Sequence, residues 1–175
     1  VMSMLVFGIA WNAFSDSRPG NIVLLGVVLF GTALLDFGHM LGYRGMPDFI
    51  TPASPQKAIV FWLAARFLVA IGLLAAALRP WEPMLDSRSR YRLLAGVLIY
   101  VAGVYGVQLL EPGLVPDFFI PGQGLTALKI SLEYGLVLIY GLAAIIFYRR
   151  AHSAATFNTA DLFTASTAAV LSDLC

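Results

Sequence analysis

The chain has 175 residues, 59% hydrophobic and only 12% charged, with a mean hydropathy of +0.83. A water-soluble domain carries about 25% charged residues and about 45–50% apolar ones. The deficit of charge runs along the whole chain, which excludes an ordinary soluble enzyme, a disordered chain and a protein that binds nucleic acid through a basic surface. What remains is an all-α polytopic transmembrane helix bundle, because a helix that is apolar all round needs lipid or other helices about it. The net charge is +1, from 11 basic and 10 acidic residues, and gains meaning only when those residues are placed along the chain. The one cysteine, Cys175, excludes an internal disulfide framework and a cysteine-built metal site.

Apolar runs alternate with short polar breaks, and no run shows the two-residue alternation of a strand. The first run, Val1 to Phe14, is shorter than the roughly 20 residues a span needs. It reads as the end of a helix that begins earlier, and it lacks the basic flank and cleavage site of a signal peptide. Ser15 to Gly20 reads as a turn. Further runs extend from Asn21 to Tyr43, Lys57 to Leu78, Tyr91 to Leu110, Leu125 to Tyr148, and about Asn158 to Cys175. Asn158 and Asp161 are suited to cap the last. The expectation is one domain over residues 1–175 with about six helices, the first and last truncated.

Loop charges set an orientation. The first, third and fifth breaks hold seven basic residues: Arg18, Arg79, Arg88, Arg90, Arg92, Arg149 and Arg150. The second and fourth hold two, Arg44 and Lys57. The odd breaks are therefore expected in the cytoplasm, and loops 44–56 and 111–124 outside, across a bacterial inner membrane. Both outer loops are long and proline-rich (Pro47, Pro52, Pro55; Pro112, Pro116, Pro121). Long ordered loops often cover a site, although prolines there also simply end helices.

Ionisable residues inside spans cost roughly 2.5–3.5 kcal/mol each on insertion scales. Here they are Asp36 and His39 on the second helix, Arg66 on the third, Lys129 and Glu133 on the fifth and Asp173 on the sixth. With the orientation above, all six fall in the outer half of the membrane. Asp36, His39 and Tyr43 share one helix face by their i, i+3, i+7 spacing. Trp62 and Arg66 are paired at i, i+4, as are Lys129 and Glu133. The candidate ligand-binding set is therefore Asp36, His39, Tyr43, Trp62, Arg66, Lys129, Glu133 and Asp173. The competing reading is that these are structural ion pairs holding the bundle, with Lys129 and Asp173 free to snorkel outward. Gly38 and Gly42 form a small-xxx-small pair that predicts close helix packing.

No nucleophile stands in a Ser/His/Asp set, no glycine loop is built for phosphate, and no histidines are spaced for a metal. Neither catalysis nor a cofactor is expected. His152 falls in an inner loop, across the membrane from His39, so the two cannot share a haem.

Four blocks in order resemble a known family. They are Asp36-Phe37-Gly38-His39-Met40-Leu41-Gly42-Tyr43-Arg44-Gly45-Met46, Phe61-Trp62-Leu63-Ala64-Ala65-Arg66-Phe67, Gly124-Leu125-Thr126-Ala127-Leu128-Lys129-Ile130-Ser131-Leu132-Glu133-Tyr134, and Leu171-Ser172-Asp173-Leu174. Together they resemble the third type of bacterial membrane-associated sensor domain. The resemblance implies an input domain that precedes a histidine kinase or a diguanylate cyclase, sometimes through a PAS domain, with a small ligand that the likeness does not define. The family's motif positions fall on His39, Tyr43, Gly45, Met46, Trp62, Arg66, Lys129, Glu133 and Asp173. Two departures stand out: Asp36 precedes the histidine, where the family commonly has an apolar or other residue, and Asp173 replaces a glutamate. The partners expected are the lipid bilayer, that small ligand, and a second copy or a larger membrane complex, but no nucleic acid. An accessory subunit of a photosynthetic or respiratory assembly is the alternative. A quinone-handling protein is a third reading.

Overall fold

A computed structural model describes residues 2–13, 19–43, 45–48, 50–82, 88–153 and 159–174. Six α-helices account for most of them: α1 (Met2–Asn12), α2 (Gly20–Gly42), α3 (Pro55–Leu78), α4 (Arg88–Leu110), α5 (Ala127–Ser153) and α6 (Thr159–Leu174). Among these, α2, α3, α4 and α5 are long and apolar enough to cross a membrane. The all-α architecture expected from the apolar runs is the one found.

Helix ends differ from the apolar runs for local reasons. α3 starts two residues before Lys57 because Ser54 caps it, its Oγ accepting from Lys57 N at 3.1 Å, while Pro55 occupies the first turn. α4 takes in the polar turn Arg88 to Arg90, and α5 continues to Ser153, so His152 lies in the last turn of a helix rather than in a loop. Asn158, expected to cap α6, lies outside the described residues, as do Arg18 and Arg44. A 3₁₀ turn at Pro112–Leu114 is followed by a small antiparallel pair that the apolar runs did not announce. In it β1 (Phe119–Ile120) meets β2 (Gly124–Leu125), with Phe119 opposite Leu125. Gly122 and Gly124 make that reversal possible at φ +85° and +92°, angles that residues with a Cβ rarely adopt.

The centre of the bundle is the pair α2–α3. α1 and α4 flank α2, α5 lies along α3, and α6 packs on α5. Glycines set how close the central pair comes. A Cβ on Gly72 would meet the Val28 side chain at 2.7 Å, one on Gly38 the Phe61 ring at 2.8 Å, and one on Gly42 the Ala58 backbone at 3.1 Å. The expected small-residue packing of Gly38 and Gly42 is thus against α3. Around the contact lie Leu24, Val28, Leu63, Ala70, Leu73, Ala76 and Ala77, continued by Leu136, Tyr140, Ala143 and Phe147 of α5. α4 buries little beyond Val101 and Gln108, and its outer side presents Leu98, Ile99 and Val107 as a lipid-facing helix does.

The loops segregate to two ends. At one end Gly20 N donates to Glu82 O at 2.9 Å, and Arg150 donates from Nη1 to Arg79 O at 2.6 Å and from Nη2 to Leu78 O at 3.2 Å. At the other, Gln56 bonds to the 111–126 segment. The alternation assumed in counting loop charges is therefore present.

Gly38→Leu is expected to lower stability by about 1–3 kcal/mol through overpacking, read as a lower midpoint of thermal unfolding in detergent. Gly103→Leu is the control. Its Cβ meets open space, and the midpoint should not fall.

Candidate functional site

Three helices bring charge together. Asp36 on α2 and Arg66 on α3 form an ion pair at 3.8 Å, with side chains 42% and 35% exposed. The length of that contact and its exposure make it a loose pair, worth less than a tight buried one. One turn back on α3, the Trp62 ring is approached by two cations. The Arg66 guanidinium is 5.8 Å from its centroid and the Lys129 ammonium of α5 is 5.4 Å away. Lys129, which is largely buried, is ion-paired with Glu133 one turn along α5. The result is a continuous row, Asp36, Arg66, Trp62, Lys129, Glu133, crossing from α2 through α3 to α5. Its four charges balance.

The row is fixed from behind by a residue that carries no charge. Tyr140 of α5 is buried, and its hydroxyl donates to the Arg66 carbonyl at 3.1 Å. Arg66 is therefore held by α5 at its backbone and by α2 at its side chain. Two tyrosines of α4 act likewise. Tyr105 donates to Leu34 O at 2.7 Å and Tyr100 to Ala64 O at 3.0 Å. A helix carbonyl already bonded within its own helix has a second lone pair for such a donor.

His39 and Tyr43 sit apart from that row. The His39 Nδ1–H donates to the Ala58 carbonyl at 2.7 Å, since a carbonyl can only accept. That bond joins the end of α2 to the start of α3 and leaves Nε2 as the ring's other polar atom. Tyr43 caps α2, is largely exposed, and meets the His39 ring edge-on at 6.3 Å between centroids. Asp173 lies in the last turn of α6, and its side chain is outside the described residues. Five of the eight expected site residues are thus in one chain of contacts, and two form a neighbouring contact toward the loops.

Asp36 also faces a cleft of about 600 Å³ between α1 and α2, lined by Ser3, Met4, Ala33, Leu34, Phe37 and Met40. Among the described lining residues, all but Ser3 and Asp36 are apolar. The cleft suits an occupant with an apolar body and a polar group directed at Asp36. Among the described residues no group of three His, Cys, Asp or Glu is placed to hold a metal.

Two residues at the loop end of α3 were not among the candidates. Gln56 Nε2 donates to Pro116 O at 2.7 Å, and its Oε1 accepts from Phe118 N at 2.8 Å and Phe119 N at 3.2 Å. One side chain thereby docks the 111–126 loop on α3. Lys57, counted as a loop charge, is 2% exposed, and its ammonium donates to Thr51 O at 2.9 Å. It ties the preceding loop to the same point.

Lys129→Met is expected to destabilise the protein by about 2 kcal/mol, below the 3–5 kcal/mol of a fully buried pair, because Glu133 stays behind uncompensated. Lys129→Met with Glu133→Met should recover most of the loss in thermal unfolding. Gln56→Ala removes the acceptor of two loop amides, so hydrogen exchange at Phe118 and Phe119 should accelerate roughly tenfold.

Residues 1–175 match the model of a family described as a membrane-associated sensor domain, MASE3. No curated protein and no solved structure matches the chain.

Proposed function

The chain belongs to the MASE3 family of membrane-associated sensor domains, and from that membership we propose that the row from Asp36 to Glu133 is where its signal is received. The occupant is a small polar or amphiphilic molecule that enters beside Asp36 and competes for the Asp36–Arg66 pair. The observation that carries this reading is the looseness of that pair, at 3.8 Å and partly exposed, beside a cleft of about 600 Å³. The other ion pair in the row, Lys129 with Glu133, is the more buried of the two.

The mechanism is a shift between two arrangements of helices. A ligand moves such an equilibrium only by its differential affinity for the two. An occupant that replaces Asp36 at the Arg66 guanidinium releases α2 from α3. Trp62 then settles differently between Arg66 and Lys129, and Tyr140 passes the change from the Arg66 carbonyl to α5. α5 carries it to the opposite end, where Arg150 bonds the last carbonyls of α3. An output module of the kinase or cyclase kind on the cytoplasmic side would read that movement. The chain lies across a bacterial inner membrane in this reading, with loops 44–56 and 111–124 outside. Lys57 turns its charge inward to Thr51, which strengthens the asymmetry of exposed basic residues that supports this orientation.

Arg66→Ala in the full-length protein should abolish the signal-dependent change in output while membrane insertion and amount stay normal. Asp36→Asn should shift the output toward one state without ligand. Normal regulation in correctly inserted Arg66→Ala protein would refute the proposal.

A further inference from the structure

At the end of the bundle opposite the charged row, a groove of about 500 Å³ opens between the end of α3 and the first turns of α4. It is lined by Arg79, Ser89, Arg92, Leu93, Gly96 and Val97. Two arginines and a serine supply its polar lining, and Leu93, Gly96 and Val97 supply an apolar side running into the membrane-spanning part of α4. We propose that this groove binds an anionic glycerophospholipid, its phosphodiester between Arg79 and Arg92 and one acyl chain on the apolar side.

Three features support an anion at the polar lining. Arg79 caps the end of α3, and its carbonyl accepts from Arg150 of α5, which fixes the backbone of a residue that lines the groove. Arg92 is steadied by a hydrogen bond from Nη2 to Ser89 Oγ at 2.8 Å. Planar guanidiniums suit the paired oxygens of a phosphate better than an ammonium does. The third feature is the charge pattern of α4. Arg88, Arg90 and Arg92 stand in its first two turns, with no acidic residue in the first. Cations at a helix N-terminus oppose its macrodipole, and an anion bound there relieves the conflict.

The apolar side distinguishes a lipid from a free phosphate. A phosphate ion needs neither the volume nor the apolar wall. At Gly96 an added Cβ would meet nothing within 4 Å, so the apolar side is open along the helix where a chain would lie. Basic pockets between membrane helices are suited to acidic headgroups at that depth.

The test is native mass spectrometry of the full-length protein, with short-chain phosphatidylglycerol, short-chain phosphatidylcholine or inorganic phosphate added to the detergent. Retention of phosphatidylglycerol over both others is expected. Arg79→Gln with Arg92→Gln should weaken it roughly 30-fold, at about 1 kcal/mol per arginine near a lipid surface. Gly96→Leu keeps both charges but fills the apolar side, and should also weaken phosphatidylglycerol binding. Arg149→Gln, an exposed arginine of α5 outside the groove lining, should change it little. The proposal is overturned if the double variant or Gly96→Leu binds as well as the parent. It is equally overturned if inorganic phosphate or phosphatidylcholine binds as tightly as phosphatidylglycerol, or if Arg149→Gln weakens binding as much as the double change.

Discussion

Within a bilayer, apolar side chains gain nothing by leaving lipid for one another, so helices associate through close fit and interhelical hydrogen bonds. Here the fit is concentrated between α2 and α3, where Gly38, Gly42 and Gly72 remove the side chains that would hold the two apart. The polar features of the bundle depend on that approach. The Asp36 carboxylate reaches Arg66, and the His39 ring reaches the Ala58 carbonyl, because α2 and α3 lie nearly backbone to backbone along this stretch. With α3 so placed, its other side is free to meet α5 at Trp62 and at the Arg66 carbonyl.

The second layer of cohesion uses tyrosine. Tyr100, Tyr105 and Tyr140 each carry a hydroxyl to a carbonyl of a neighbouring helix, at Ala64, Leu34 and Arg66. A ring supplies apolar area for packing, and its tip meets a backbone acceptor that lipid cannot satisfy. Each bond of this kind is modest, about 0.6 kcal/mol on average in membrane proteins. Three of them from two helices register α4 and α5 against the central pair without adding charge to the interior.

The row of charges was legible because ionisable residues are rare in spans and helical spacing sorts them by face. Asp36, His39, Arg66, Lys129, Glu133 and Asp173 could be placed at one depth from loop charges and residue counts, and Trp62 joined them by its i, i+4 spacing from Arg66; His39 nevertheless sits apart, turned to the Ala58 carbonyl. What escaped notice were residues whose roles depend on partners distant in the chain. Gln56 looks like an ordinary polar residue at a helix start, and its bonds lie about 60 positions away in sequence. Tyr140 stands among apolar neighbours with nothing to mark it. Lys57 looked like a loop charge because its burial follows from how the loop before α3 folds back over it. The β1–β2 reversal was written in Pro121-Gly122-Gln123-Gly124, but a strand of two residues is too short for alternation to register.

The lengths of α3 and α5 have a further consequence. α5 has 27 residues, about 40 Å at 1.5 Å per residue, whereas a hydrocarbon core is about 30 Å thick. Such a surplus is taken up by leaning or by protrusion. α5 cannot lean alone, because it is bonded to α3 at Trp62, at the Arg66 carbonyl and at the last carbonyls of α3. Any lean must be shared by the two helices as one strut, and membrane thickness would then bear on the same joints as a chemical signal.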